Sequence, residues 1–407
     1  MKAVVFHNVG DIRLEEVPDP RIEKPNDAVV RIIASAICGT DLHMIRGTLP
    51  GMKPGTILGH EGVGIIEALG PDVRNFNIGD RVIIPSTICC GYCTYCRVGY
   101  TAQCDNANPN GPTAGTAFYG GPAETGPFNG LQAEKARIPF AASSLILAPD
   151  GLTDDEAILL SDIFPTGYFG AELAEILPGD TVAVFGCGPV GQFVIASAKL
   201  LDAGLVFAID TIPSRLEMAR AQGAMTIDYN QEDPIEAIRR LTGGIGVDRA
   251  IDAVGVDASQ PNQGPASEQF KQMEKQFQQE VQQIAPQTQP QGDNWHPGDA
   301  PSAVSQWAVE VVAKAGTVSI IGVYPPTDRF FPIGKAMNKN LTINMGNCNH
   351  RTYIPKLIDL ILTGVIDPTQ VLTQHEPLDS VLDAYKAFDK REPGWVKVML
   401  EPVGTME

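Results

Sequence analysis

Asp180-Thr181-Val182-Ala183-Val184-Phe185-Gly186-Cys187-Gly188-Pro189-Val190-Gly191 decides the fold of this chain. Asp180 to Phe185 is an apolar strand, and the residues from Pro189 to about Leu201 have the spacing of an amphipathic helix. Between them stands G-x-G-x-x-G. The first glycine makes the tight turn, the second lets a pyrophosphate approach the backbone, and the third lets helix and strand pack closely. A second strand, Leu205 to Ile209, ends at Asp210, 19 residues after Gly191. A carboxylate there can bond both ribose hydroxyls of NAD and would repel the 2′-phosphate of NADP. Gly186, Gly188, Pro189, Val190, Gly191 and Asp210 are therefore the expected dinucleotide site.

The alternation continues outward. Helices are expected from about Ser214 to Gln222, Pro234 to Leu241 and Val304 to Ala313, with strands at Val247 to Val254 and Thr317 to Val323. Strands alternating with helices of this length give a parallel, doubly wound sheet. Val254, at a strand end, joins the expected cofactor contacts. Arg215 either reaches the adenosine ribose or sits on a solvated helix face.

A chain of 407 residues is long enough for two domains with their own cores. Hydrophobic and charged fractions of 43% and 19% are those of a soluble globular protein. No apolar run is long enough to span a bilayer, and the first 20 residues lack the apolar core of a signal peptide. A net charge of −18 argues against nucleic acid or an anionic membrane as partner. Eight cysteines, four of them in one cluster, fit a reducing cytoplasm better than a disulfide framework.

That cluster is Cys90, Cys93, Cys96 and Cys104, spaced C-x2-C-x2-C-x7-C. Four thiolates so close suit one tetrahedral Zn²⁺ with every position filled, a structural site. Free buried cysteines or disulfides are the alternatives. Cys89 could replace Cys90, although the even spacing favours Cys90. Before the cluster, short strands at Val4 to Phe6, Ile12 to Glu15 and Ala28 to Ile33, with many glycines among β-branched residues, predict a small, tightly turned β-barrel. Cys38, in Cys38-Gly39-Thr40-Asp41-Leu42-His43, and His60, in Gly59-His60-Glu61-Gly62-Val63-Gly64, stand at strand ends. Both are good zinc ligands, and each taken alone is more often structural.

The Cys38 block, the run from Gly59 to Val82 and the four-cysteine knot together resemble the zinc-dependent medium-chain alcohol dehydrogenases. The likeness covers nearly the whole chain apart from one insertion. It implies a doubly wound parallel (Rossmann) sheet domain, residues 161–329, and a discontinuous GroES-like β-barrel catalytic domain, residues 1–160 and 330–407. It implies a catalytic zinc on Cys38, His60 and a third ligand. Many family members use a second cysteine there, whereas Asp162 stands in the matching stretch Ser161-Asp162-Ile163-Phe164-Pro165-Thr166-Gly167-Tyr168. Carboxylate oxygen is a normal zinc ligand, and the alternative is a helix cap.

With the knot, this gives two zincs per chain and NAD as cofactors. The implied activity is hydride transfer between a primary alcohol, or an aldehyde hydrate, and NAD, with zinc polarising the substrate oxygen. Thr40 contacts that oxygen and passes its proton through the nicotinamide ribose to His43, which exchanges it with solvent. Glu61, next to a ligand, tunes the metal or briefly replaces water on it. Lys397 matches a position where the family often holds a basic residue near the cofactor phosphates, and a solvated surface lysine is the alternative. The family runs to dimers and tetramers, so a homo-oligomer is expected.

Residues 257–301 form the insertion, with 12 Gln from Gln260 to Gln291. Phe270, Met273, Phe277, Val281 and Ile284 recur at helical spacing, predicting a helix from about Ser267 to Ile284 with loose ends. It is a surface helix docked on the sheet domain, or a flap or subunit contact. The insertion, Asp162 and the block around it are similar to the glutathione-independent formaldehyde dehydrogenases and their dismutase relatives. A nicotinoprotein that dismutates aldehydes on resident NAD is thus a second reading. A non-catalytic redox-sensing or structural protein is a remote third. Residues from about 105 to 130 read as a loop near the substrate cleft, where Phe118, Tyr119 and Phe128 wall the cleft or pin the loop. Asn347 to Arg351 has no firm account, and His350 reads as a structural hydrogen-bonder.

Overall fold

A computed structural model describes residues 1–108, 110 and 115–402. Pro109 and Gly111 of the expected cleft loop lie outside them. The chain divides into two units. One is Met1–Pro165 with Thr288–Trp295 and Cys348–Glu407, and the other is Thr166–Gln287 with His296–Asn347.

The second unit carries the parallel sheet. Its strand order is Met225–Asp228, Leu205–Asp210, Thr181–Phe185, Val247–Asp252, Val312–Ile320, Thr342–Met345, and all pairs are parallel. The order reverses between Thr181–Phe185 and Val247–Asp252, the switch point at which doubly wound sheets bind ligands. The central strand is apolar and buried from Val182 to Phe185, its alternate residues entering the cores on opposite faces of the sheet. It feeds the helix Pro189–Leu200, whose first position is proline, where a missing N–H costs nothing.

In the first unit, a sheet runs Gln374–Pro377, Val398–Glu401, Ala28–Ile37, Gly62–Leu69, Arg81–Ile84, Ile146–Leu147, with Lys135–Ile138 also on Ala28–Ile37. A three-stranded sheet of Asp11–Glu16, Lys2–Asn8 and Thr56–Ile57 completes it. The sequence places the return to this unit at residue 330. The structure carries the second unit to Asn347, because Thr342–Met345 pairs in parallel with Val312–Ile320.

The insertion does two things. Its helix, Pro265–Ile284, buries Phe270 and Phe277 in the core of the second unit, where the Phe270 ring lies 5.2 Å from that of Trp307. Each such phenylalanine contributes roughly 1.5–3 kcal/mol. The segment after it is not loose. Thr288–Trp295 counts with the first unit, with Trp295 in its core and Asn294 Nδ2 and Trp295 N–H donating to Asp389 Oδ2 at 3.0 and 2.8 Å. The same carboxylate takes Arg46 through Oδ1 at 2.7 Å, fully buried.

Candidate active site

Strand Ala28–Ile37 ends at Cys38, whose extended backbone opens the helix Gly39–Arg46. Asp41, in the first turn, accepts from Cys38 N–H at 3.0 Å and from Gln132 Nε2 at 3.2 Å. Its other oxygen lies 3.2 Å from His60 Nδ1. His60 reaches this position because Gly59, at φ +91°, lets the chain turn where a Cβ would sit 2.4 Å from Gln132 Cγ. Asp162 stands at the break between helices Asp154–Ser161 and Ile163–Leu173, with φ −148° and ψ −66°. The break frees its side chain to turn inward.

One ligand atom from each of Cys38, His60, Glu61 and Asp162 falls within a 4.8 Å cluster, and all four residues are buried. Asp162 Oδ2 is 3.3 Å from His60 Nε2 and 3.7 Å from Cys38 Sγ. A tetrahedral zinc with Zn–N and Zn–O of about 2.1 Å and Zn–S of about 2.3 Å separates N from O by about 3.4 Å and S from O by about 3.6 Å. The three atoms fit that ion, whereas a charge-assisted hydrogen bond between His60 and Asp162 would be shorter. The Asp41 contact at Nδ1 is the usual carboxylate behind a metal-bound histidine.

Asp162 Oδ1 faces the other way. It lies 2.8 Å from His350 Nε2 and 3.2 Å from Ser86 Oγ. Burial pushes the Asp162 carboxyl up, but the hydrogen bond from His350 and the nearby His60 ring outweigh it and hold the group well below the usual range. Burial, helped by the Asp162 and Glu61 charges, pushes the Cys38 thiol up against the pull of His60, an effect that a bound dication reverses.

Glu61 follows His60 directly. Its Oε1 is paired with Lys397 Nζ, which also donates to Ile37 O at 3.0 Å. Burial raises the Glu61 carboxyl to about 7 against the pull of that ammonium. Lys397 is fully buried. This corrects its expected place at the cofactor phosphates, because the ammonium is enclosed and its charge is paired with the Glu61 carboxylate.

Thr40 Oγ1 is 3.9 Å from Cys38 Sγ, and His43 lies one helical turn further on. His43 is buried, with Nδ1 2.8 Å from Thr48 Oγ1. Its ring therefore does not meet bulk water directly, as the sequence reading assumes, because Thr48 covers it. Of the three aromatics, Phe118 sets its ring edge-on to His60 at 6.0 Å, while Tyr119 is fully buried and pins the loop.

The knot forms around Cys90, Cys93, Cys96 and Cys104, whose sulfurs lie within 4.8 Å of one another. Backbone N–H groups of Tyr92 and Cys93 point at Cys90 Sγ from 3.4 and 3.3 Å, and those of Cys90 and Ala107 at Cys104 Sγ from 3.2 and 3.4 Å. Such donors favour thiolates, the form that zinc needs. Cys89 Sγ faces the Ser143 carbonyl instead, at 3.5 Å.

In the second unit Gly186 has φ +87°, and Gly188 caps the helix Pro189–Leu200 with its first-turn N–H groups open toward a phosphate. A Cβ on Gly191 would lie 1.9 Å from Gly186 O. Gly191→Ala must therefore shift the turn, and NADH affinity should fall at least about tenfold, a cost within the usual 1–3 kcal/mol of overpacking. Fluorescence titration reads the affinity, and zinc content should not change. Unaltered NADH binding would show that the turn does not hold the dinucleotide.

Val254 Cγ2 and an Arg215 Nη1 lie 2.5 and 3.6 Å from the Cβ positions of Gly186 and Gly188, so both border the turn. Asp210 corrects a detail. Its carboxylate accepts from the N–H groups of Cys187, Thr211 and Ile212 at 2.7, 2.7 and 3.0 Å. About one of its roughly four acceptor positions remains, too few for both ribose hydroxyls.

A dinucleotide turn on a doubly wound sheet, joined to a β-barrel with a Cys–His–Asp cluster, defines a metal-dependent dehydrogenase. Family models for the alcohol dehydrogenase GroES-like domain and for zinc-binding dehydrogenase match residues 24–150 and 189–263. An uncharacterised zinc-type alcohol dehydrogenase-like protein of Bacillus subtilis is 35% identical over 99% of this chain and 100% of its own. A glutathione-independent formaldehyde dehydrogenase of Pseudomonas aeruginosa is 37% identical over 63% of this chain and 66% of its own. The solved alcohol dehydrogenase of Thermus sp. ATN1 superposes with a TM-score of 0.78 at 33% identity, covering 99% of this chain and all of its own. The chain belongs to the zinc-type alcohol dehydrogenase family and is an oxidoreductase using zinc and NAD. No helix among the described residues is long and apolar enough to cross a membrane.

The sequence names His350 as a hydrogen-bonder without its partner, and gives Asp41, Ser86 and Thr87 no role. Asp41 and His350 stand inside stretches already singled out, so their chemistry was visible and only their direction was not. Ser86 and Thr87 carry no signal.

Proposed function

We propose that this protein oxidises a primary alcohol, or an aldehyde hydrate, with NAD⁺ at the Cys38–His60–Asp162 cluster. The observation that carries the reading is the convergence of Sγ, Nε2 and Oδ2 at zinc-ligand separations. One zinc is assigned to this site and a second to Cys90, Cys93, Cys96 and Cys104. Zinc supplies a Lewis acid for the substrate oxygen and NAD⁺ accepts the hydride. The protein's own part is proton handling. The Thr40 hydroxyl, near the Cys38 sulfur, takes the proton from the substrate hydroxyl, and His43 on the same helix receives it. Glu61 is held by Lys397 through one oxygen and keeps the other beside the ligands, able to approach the metal. Gly186, Gly188, Pro189, Val190, Gly191 and Val254 shape the dinucleotide turn, and Arg215 and Asp210 flank it. The chain is assigned to the cytoplasm on its eight cysteines, four of them gathered in a metal-type cluster rather than a disulfide framework. By the family's habit it works as a homo-oligomer.

The test uses protein purified without added cofactor. Its absorbance is recorded for bound NAD(H), and a panel of alcohols and aldehydes is assayed with and without NAD⁺. Alcohol turnover that depends on added NAD⁺ is the expected result. Aldehyde turnover on resident cofactor alone would replace this reading with a dismutase. Thr40→Val should lower kcat by about 10²-fold or more, the usual worth of a positioned proton acceptor, and Thr40→Ser should recover most of it. Equal rates for the two variants would remove Thr40 from the relay.

A further inference from the structure

We propose that His350 is the positioning residue of the catalytic metal site, selecting which oxygen of Asp162 meets the zinc. The inference rests on the reading of Asp162 as a ligand. A cysteine ligand offers one donor atom and needs no such help. An aspartate offers two oxygens, and an unheld carboxylate can swing, bind through both or turn away. Here the two oxygens have separate partners. Oδ2 faces Cys38 Sγ and His60 Nε2 at 3.7 and 3.3 Å, while Oδ1 meets His350 Nε2 at 2.8 Å.

The hydrogen-bond chain fixes the ring. An ionised ligand carboxylate only accepts, so His350 Nε2 carries the hydrogen. In the neutral ring Nδ1 then accepts from the Thr87 hydroxyl, 3.0 Å away. Ser86 Oγ adds a contact of 3.2 Å to the same Asp162 oxygen. Ser86 and Thr87 follow the strand Arg81–Ile84, and His350 opens the helix Ile354 belongs to, His350–Leu362. His350 and Asp162 are both buried, at 3% and 8% exposure, so bulk water has little access to their contact. Two separate elements of the fold therefore aim one carboxylate.

The test compares wild type, H350A, H350N, H350Q and D162A as full-length proteins. Zinc affinity is measured by chelator competition, and the Co²⁺-substituted protein is examined by visible absorption. Glutamine places an amide N–H near the position of Nε2, toward Asp162. Asparagine places it near Nδ1, toward Thr87. H350A and H350N should weaken one zinc per chain by about 10- to 100-fold, the usual effect of losing a ligand's hydrogen-bond partner, and should alter the Co²⁺ bands. H350Q should recover most of the affinity, and the knot's zinc should not respond. If H350A fails to fold, the Asn and Gln pair still decides. Equal affinity and equal Co²⁺ bands for that pair overturn the proposal. D162A separates the two readings. Catalytic zinc retained by D162A removes the ligand assignment itself, whereas zinc lost by D162A and kept by H350N removes only the role of His350.

Discussion

Cys38→Ala is expected to lower kcat/KM for alcohol oxidation by about 10³- to 10⁵-fold. A bound metal supplies several kcal/mol of charge stabilisation at the substrate oxygen, and each 1.36 kcal/mol is about tenfold in rate. With Cys38 gone, two ligands remain, His60 and Asp162, and the site no longer offers three protein donors around an open position. The fold should survive. Cys38 sits between a strand and a helix whose first turn is held independently, since Asp41 takes its bonds from the backbone of Cys38 and the side chain of Gln132. Zinc analysis should therefore show one equivalent lost and the knot's equivalent kept, with an unchanged far-UV spectrum. Groups that act as one unit are not additive, so Cys38→Ala combined with Asp162→Ala should be little worse than either alone. A Cys38→Ala protein with nearly native kcat/KM and full zinc would dismiss the cluster as the catalytic centre.

The parts of this protein written in short local patterns were legible in its sequence. The glycine turn declares itself because one φ of +87° and a 1.9 Å approach at Gly191 leave no room for other residues. The insertion helix was legible from spacing alone, because its apolar stripe packs against Trp307 as the periodicity requires. What stayed hidden depends on residues far apart in the chain. Lys397 meets Glu61 across 336 positions, and His350 meets Asp162 across 188. No local rule says which buried lysine finds which carboxylate. The end of the parallel sheet was likewise hidden, since Thr342–Met345 is a short strand whose place depends on pairing rather than on composition. Asp210 shows the reverse case, a residue whose place at the end of the second strand was readable but whose free acceptors were overcounted because the backbone reaches them first.

Cys93→Ala should give protein that loses one zinc per chain and most of its thermal stability. The segment around the knot has little else to hold it. Its helices, Thr94–Arg97 and Thr101–Gln103, are four and three residues long, and Tyr92, Val98 and Tyr100 are exposed at 64%, 65% and 59%. Structural zinc contributes on the order of 10 kcal/mol in small peptides, comparable with the roughly 5–15 kcal/mol that holds a whole domain folded. Cys93 is the informative position because it is the one knot cysteine that is only half-buried. Cys104 belongs to the core, and truncating it would add a cavity to the loss of a ligand. Burial works against the Cys93 thiolate, yet backbone N–H groups of Cys96 and Asp105 outweigh it and bring the thiol down to about 7, so little is lost when a metal takes it. Cys89→Ala is the control. Its sulfur faces the Ser143 carbonyl, so both zincs should stay, and since Cys89 also sits in the core the melting temperature should fall only by the small cavity left by one sulfur, well short of the Cys93→Ala loss. Zinc analysis and calorimetry on the two variants separate the cases, and a Cys93→Ala protein with two zincs and a native melting temperature would show that the four cysteines do not form the knot.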